Sequence, residues 1–365
     1  MNQLTNSVWM RTILGLIVAA ALLALVLIRT DLNATLDALG GAKFAYLPPA
    51  MLLFALAVWF QALRWRYLLK PLTDIPTQRL YPVVFVGHLV NSVVPLRAGE
   101  VVRALVLNRR EGVSRMAALG TLVVERTLDG LALSAMLLIF VAVVDSSERL
   151  WQLVLAGSLL FGLATVALIL IALHPERSLS LGVRLIERGP VRFQARLRRW
   201  LRSFLTGTTA LRTPGGIAGA FATTAAFWLS VAVVYALVGE AFGIHAGFIT
   251  YILVTAAANL TVSIPSSQGG LGPFEFFVRG TLVFSDVAAP VATAYALVLH
   301  ATILATMIVG GALSLRTAGL SLDMLSDQAE LEEEEEERPL EPISRQAEIA
   351  VYRTGDEGDP VRDRS

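Results

Sequence analysis

Six ionisable side chains between residues 88 and 129 stand out because the surrounding sequence is strongly apolar. They are Arg97, Glu100, Arg103, Glu125, Arg126 and Asp129. An ionisable group at membrane depth costs roughly 2.5–3.5 kcal/mol on insertion scales, so such groups are usually paired and often mark a functional pathway. A solvated loop at the membrane surface is the alternative, and we adopt it for Arg109, Arg110 and Arg115. For the six we favour a buried functional cluster.

The spacing of these charges indicates how they pair. Glu125 and Asp129 are four residues apart, so on a helix the two carboxylates share a face and repel each other. A buried pair of this kind needs a cation, and the candidates are Arg97, Arg103 and Arg126. Arginine binds phosphate through two parallel hydrogen bonds. The network could therefore hold the phosphate of a lipid headgroup while staying near neutral.

A second interrupted stretch repeats the order of residue types found in the first. The first contains Asn91, Pro95, Gly99, Glu100 and Arg103, and the second contains Asn259, Pro265, Gly270, Gly272, Glu275 and Arg279. Proline and glycine end one helix, and a new short helix is predicted to begin near Gly99 or Pro273. Its free N–H groups favour a phosphate at the break. Paired interruptions are typical of transporters built on an internal repeat. Glu275 and Arg279 are predicted to form a helical ion pair.

Composition indicates an all-α, polytopic integral membrane helical bundle with two re-entrant or broken helix regions. Of the 365 residues, 55% are hydrophobic and 16% are charged, against roughly 25% charged in soluble domains. The absence of cysteine excludes disulfides and thiolate metal sites. Four histidines without HExxH spacing argue against a zinc enzyme, and we find no nucleotide-binding loop. We therefore expect no catalytic residues of these kinds, no metal and no cofactor.

Apolar blocks long enough to cross a bilayer define the predicted spans. They are residues 12–28, 46–63, 127–144, 150–173, 216–239, 246–264 and 288–315. Residues 80–96 and 264–280 are too interrupted for ordinary spans, and irregular backbone is tolerated at membrane depth only inside protein or beside a wet cavity. We interpret Arg64 as an interfacial anchor, with inward reach to a lipid phosphate as the alternative. We interpret His88 and His300 as satisfied structural residues.

Charged segments predict the topology. Nine arginines between residues 174 and 214 place that loop in the cytoplasm. Its alternation of arginine with apolar residues predicts an amphipathic helix on anionic headgroups. A loop tethered between two spans is not expected to bind nucleic acid. Glu332 to Glu337 are six consecutive glutamates, which predicts a disordered, acidic cytoplasmic tail at 321–365 beside a transmembrane domain at 1–320.

The patterns N-x3-P-x-R-x-G-E-x2-R, E-R-x2-D and P-x4-G-x-G-x2-E resemble the flippase-like membrane domain of lysylphosphatidylglycerol synthases, the multiple peptide resistance factor family. The matching residues are Asn91, Pro95, Arg97, Gly99, Glu100, Arg103, Glu125, Arg126, Asp129, Pro265, Gly270, Gly272 and Glu275. The resemblance covers nearly all of residues 10–320. It implies a bacterial or archaeal inner-membrane fold with re-entrant helices that moves or binds an anionic or aminoacylated lipid. We expect a stand-alone form, because a glutamate tail stands where the synthases carry their aminoacyl-transfer domain.

Three functions remain open. The leading hypothesis is a flippase or translocator for an anionic or aminoacylated phospholipid or a prenyl-phosphate lipid, with membrane lipids as its partners. Because we find no nucleotide-binding loop, transport would be passive or driven by a gradient. The alternatives are a membrane lipid-phosphate phosphatase and a noncatalytic membrane scaffold.

Overall fold

The computed structural model describes residues 31–93, 98–143, 148–188, 191–262 and 270–317, which form an all-α bundle as predicted. Twelve α-helices occur in this part of the chain. They are α1 (Leu32–Gly40), α2 (Leu47–Leu69), α3 (Thr77–Val93), α4 (Ala98–Glu111), α5 (Arg115–Val143), α6 (Glu148–Leu173), α7 (Pro175–Ile186), α8 (Val191–Gly207), α9 (Pro214–Ala241), α10 (Phe248–Val262), α11 (Pro273–Phe284) and α12 (Ala289–Thr317). Short 3-10 turns precede α2 and α9.

Five of the described helices are long and apolar enough to cross a membrane. They are Phe44–Leu69, Arg115–Val143, Val154–Leu173, Pro214–Ala241 and Ala289–Arg316. The chain is therefore a multi-pass membrane protein, as predicted. Two predicted spans differ. The α5 span begins at Arg115 and not near residue 127, so its charged residues lie within the crossing helix. The predicted span at 246–264 is a shorter apolar helix, Phe248–Leu260. The predicted span at 12–28 and the predicted tail at 321–365 lie outside the described residues.

The first interrupted stretch folds into two helices, α3 and α4, that pack against each other; we call them the first helix pair. Helix α3 continues through Pro82 to Val93, so this proline does not end the helix. The two backbones approach closely at Gly87 and Gly99, where a Cβ on Gly99 would strike the Gly87 carbonyl oxygen. This contact brings the start of α4 against α3. Whether the pair re-enters the membrane stays a prediction.

Substitution of Gly99 by alanine is expected to destabilise the protein by about 1–3 kcal/mol, because the added methyl group forces the helix pair apart. The control is Gly157→Ala in α6, where an added Cβ meets no atom within 4 Å. There the change should stabilise the helix by about 0.5–1 kcal/mol. Thermal unfolding in detergent measures both variants. Equal midpoints for the two would contradict the close approach of α3 and α4.

The second interrupted stretch gives the second helix pair, α10 and α11, which also pack against each other. Gly270 and Gly272 adopt positive φ angles of 79° and 88°, a region that favours glycine. Helix α11 begins directly afterwards at Pro273, as the sequence predicted. Helix α12 packs against both α3 and α11, so a single membrane-crossing helix contacts both helix pairs.

Candidate functional site

A group of buried charges lies where α2, α4 and α5 meet. Arg64 of α2 is fully buried, with Nη1 2.6 Å from Asp129 Oδ1 and Nη2 3.3 Å from Glu125 Oε1. Arg103 of α4 donates from Nη1 and Nη2 to the two Glu125 oxygens at 2.8 and 3.0 Å. Paired hydrogen bonds of this kind are among the strongest in proteins. They offset the large cost of removing these charges from water.

Uncharged side chains orient the two carboxylates. Gln61 donates from Nε2 to Glu125 Oε1 at 3.0 Å, and the other end of its amide, Oε1, lies 2.7 Å from His88 Nε2. Because a carbonyl oxygen only accepts, the His88 Nε2 atom is the donor in that contact. Trp228 of α9 donates from Nε1 to Asp129 Oδ1 at 2.9 Å. The prediction that His88 is a satisfied residue is consistent with this contact.

Uncharged side chains of neighbouring helices also contact Arg64 and Arg103. The Arg103 guanidinium lies 4.2 Å from the ring centre of Trp65, a cation–π contact. The Trp65 indole donates to Thr121 Oγ1 at 2.9 Å, which fixes the ring. Arg64 donates from Nη1 to Thr224 Oγ1 at 3.1 Å. Helices α2, α4, α5 and α9 therefore determine the positions of both guanidinium groups.

One edge of the charged group reaches the surface. Arg126 keeps 39% of its side chain exposed, while its Nη2 lies 3.0 Å from Glu125 Oε1 and 3.6 Å from Asp129 Oδ2. Its Nε lies 3.9 Å from Glu100 Oε1, and Glu100 is 17% exposed. Asn91 of α3 donates from Nδ2 to Glu100 Oε2 at 3.3 Å, across the interruption between α3 and α4. Arg126 and Glu100 thus form a loose pair at the partly exposed edge of the group.

Together these residues make the ion cluster, which we define as Arg64, Glu100, Arg103, Glu125, Arg126 and Asp129. Its three arginines balance its three carboxylates, so the described cluster is neutral overall. Glu125 follows the start of α5 by ten residues, which is about 15 Å along a helix and about half of a ~30 Å hydrocarbon layer. The sequence prediction of a near-neutral network is consistent with this arrangement.

A second polar centre lies at the start of α11. His300 Nδ1 of α12 donates to Glu275 Oε1 at 2.6 Å, and both side chains are buried. The other carboxylate oxygen, Oε2, accepts the Gly272 N–H at 2.7 Å. The sequence predicted that Glu275 would pair with Arg279, but Arg279 directs its Nε to Thr293 Oγ1 at 3.0 Å. The glutamate is therefore tied to α12 and to its own helix N-terminus.

The two asparagines of the repeated pattern both form hydrogen bonds through their side chains. Asn91 Oδ1 accepts the Gly99 N–H at 2.8 Å, so Asn91 caps the start of α4 across the break. Asn259 donates to Tyr235 Oη at 3.0 Å and to the Thr255 carbonyl at 2.8 Å. In both pairs the asparagine lies near the end of the first helix, and its side chain is hydrogen-bonded.

The structure corrects the interpretation of Arg64. It is not an interfacial anchor but the most deeply buried arginine of the ion cluster. A signal was present in the sequence, because Arg64 continues a stripe of residues three or four apart that is buried in α2. The stripe is Ala50, Phe54, Ala57, Gln61, Arg64 and Leu68. Trp228 carried no such signal, since nothing in the sequence relates α9 to Asp129. Arg97, Pro95 and Pro265 lie outside the described residues.

Comparisons with known proteins agree with this fold. A family profile described as the lysylphosphatidylglycerol synthase TM region matches residues 12–311. The chain belongs to that family. It is 25% identical over 360 residues to the glycosyltransferase AglD of Haloferax volcanii, covering 88% of this chain and 57% of that protein. It is 25% identical over 273 residues to a UPF0104 membrane protein of Methanothermobacter thermautotrophicus, covering 71% and 81% respectively. No solved structure matches the chain.

These relationships support a membrane-lipid-related function. The family takes its description from synthases of a modified phospholipid. The chain spans a little over half of the AglD protein, so the activity named for that protein concerns a longer chain.

Proposed function

We propose that this protein translocates a phosphate-bearing membrane lipid, either an anionic or aminoacylated phospholipid or a prenyl phosphate, across a bacterial or archaeal plasma membrane. The ion cluster is the headgroup site. The observation that carries the proposal is the graded exposure of the cluster, whose inner arginines are buried and paired while Arg126 and Glu100 remain accessible. Ionisable residues inside a membrane-crossing helix are costly to insert, and they usually mark a functional site.

The accessible pair suits a headgroup for two physical reasons. The contact between Arg126 Nε and Glu100 Oε1, at 3.9 Å, is too long for a hydrogen bond. Replacing it with a contact to phosphate therefore costs little free energy. Glu100 also lies in the first turn of α4, whose N–H groups carry the positive end of the helix dipole. A phosphate oxygen that displaces the Glu100 carboxylate would keep the dipole and Arg126 compensated.

Hydrolysis of a lipid phosphate would require a different arrangement of carboxylates. A general base or metal ligand needs a carboxylate that is not already committed to cations. Glu125 contacts Arg64, Arg103 and Arg126, and Asp129 contacts Arg64 and Trp228. These contacts favour a binding role for Glu125 and Asp129 over a hydrolytic one.

The test is lipid scrambling in proteoliposomes, with phosphate release measured on the same samples. Wild-type protein should move a fluorescent anionic lipid between leaflets without releasing phosphate. Arg126→Gln should slow scrambling by about tenfold or more, because it removes the accessible charge-assisted contact. Arg66→Gln is the matched control, since Arg66 forms an exposed surface bridge to Asp74. That variant should scramble at the wild-type rate.

Replacing Glu100 or Glu275, which lie in the first turns of α4 and α11, with glutamine further distinguishes a translocator from a hydrolase. In a translocator, Glu100→Gln and Glu275→Gln should each lose only part of the scrambling activity, because an amide keeps hydrogen bonding and changes only the charge. In a hydrolase, loss at the catalytic carboxylate should be about a hundredfold or more. Phosphate release by the wild type, abolished by one substitution and untouched by the other, would overturn the proposal.

A further inference from the structure

A basic helical hairpin joins two of the membrane-crossing helices. Helix α7 follows α6 after His174 alone, and α8 leads through a short 3-10 turn into α9. The two helices pack against each other, with Leu201 in contact with Gly182. Because spans hold the hairpin at both ends, it lies at the membrane surface. We call it the α7–α8 hairpin.

Large apolar side chains of the hairpin are exposed. Leu185 is 64% exposed and Trp200 is 46% exposed, and both have an exposed leucine one turn earlier, Leu181 and Leu197. Residues three or four apart share a helix face, so each helix presents an apolar pair outward. Leu205, on the inner side of α8, is buried by comparison. Exposed apolar faces of this kind mark contact surfaces.

Arginine dominates the charge of the same hairpin. Residues 175–207 contain eight arginines and two glutamates. Arg184, Arg188 and Arg199 are exposed. One of the glutamates, Glu187, is engaged by Arg198 at 3.0 Å, and the Arg196 guanidinium lies 5.8 Å from the Trp200 ring centre. Exposed apolar residues beside an excess of arginine are typical of helices that lie in the plane of an anionic bilayer.

The hairpin is docked on the helix that carries the ion cluster. A Cβ on Gly207 of α8 would strike the Ala117 carbonyl oxygen of α5, and one on Gly120 of α5 would lie 2.5 Å from the Phe204 carbonyl oxygen. The helices are therefore in backbone contact. Gly120 precedes Glu125 by five residues, about 7.5 Å along the helix. The point at which the hairpin docks on α5 therefore lies within two turns of the cluster.

We propose that the α7–α8 hairpin is an in-plane binding surface for anionic phospholipids, which it concentrates next to the ion cluster. The apolar faces enter the headgroup boundary, and Arg184, Arg188 and Arg199 contact headgroup phosphates. Each basic residue near an anionic surface contributes attraction of about fivefold in association, or ~1 kcal/mol. Binding by the hairpin is independent of the proposed function, and only its role in supplying the cluster rests on translocation.

The test uses the full chain, which contains no cysteine. Leu197→Cys protein carries a fluorophore and is reconstituted in phosphatidylcholine with and without phosphatidylglycerol. Quenching by brominated phosphatidylglycerol relative to brominated phosphatidylcholine gives the relative association constant at the hairpin. We expect a preference of several-fold for phosphatidylglycerol. It should weaken as salt rises, because surface charges are screened.

Substitutions of the three exposed arginines test whether their charge produces the preference for phosphatidylglycerol. Glutamine at Arg184, Arg188 and Arg199 together should abolish the preference, whereas lysine at the same positions should keep most of it. An unquenched probe, or equal quenching by both lipids, would overturn the proposal. So would a preference that appears only when residues 318–365 are removed, because the acidic tail would then be the occupant of the surface. If the preference is found but no lipid is scrambled, the hairpin surface stands and the proposed function fails.

Discussion

Arg64→Ala protein is expected to be less stable than the wild type by about 3–5 kcal/mol, the usual cost of removing one partner of a buried ion pair. The guanidinium is fully buried and lies between Asp129 and Glu125. Without it the buried carboxylates of the cluster carry an uncompensated negative charge. Thermal unfolding in detergent, followed by the loss of the monodisperse peak on size-exclusion chromatography, measures the change.

The matched control is Arg66→Ala, two residues further along the same helix. Arg66 is half-exposed and pairs with the exposed Asp74 at 3.3 Å. Surface bridges of this kind contribute about 0–1 kcal/mol, so this variant should unfold close to the wild-type midpoint. If both variants unfold at the same temperature, Arg64 is solvated and the ion cluster is not as described.

Glu125→Gln is expected to cost a similar amount, about 3–5 kcal/mol, because Glu125 is the carboxylate on which three arginines converge. Its contacts are Arg103 at 2.8 Å, Arg126 at 3.0 Å and Arg64 at 3.3 Å. A neutral amide leaves those positive charges close together with one carboxylate fewer. Glu111→Gln is the control, since its contact with the exposed Arg79 is 3.7 Å long.

A double variant tests whether charge balance is the reason. Arg103→Met combined with Glu125→Gln removes one charge of each sign, so the cluster becomes neutral again. This protein should recover part of the stability that Glu125→Gln loses, giving a favourable interaction energy in the double-mutant cycle. Additive losses in the double variant would show that shape, not charge, makes Glu125 necessary. Recovery of stability without recovery of lipid scrambling would assign Arg103 a part in the headgroup site.

The sequence alone established the class of protein and the ingredients of the site. Long apolar blocks with few charges can be stable only across a bilayer, because such surface cannot face water. The same reasoning identified Arg103, Glu125, Arg126 and Asp129 as a cluster, since charges in such blocks must be paired. It also located the start of α11 at Pro273, because proline is compatible with the first turn of a helix.

Only the tertiary structure decided which charges meet. Arg64 and Asp129 are 65 positions apart in the chain, and Trp228 reaches Asp129 from a further helix. Helical periodicity reports which face of a helix is buried, but not which other helix covers that face. For the same reason the sequence paired Glu275 with its near neighbour Arg279, whereas the packing of α11 on α12 brings His300 to that carboxylate. Local spacing determined which groups could pair, and helix packing selected the partners.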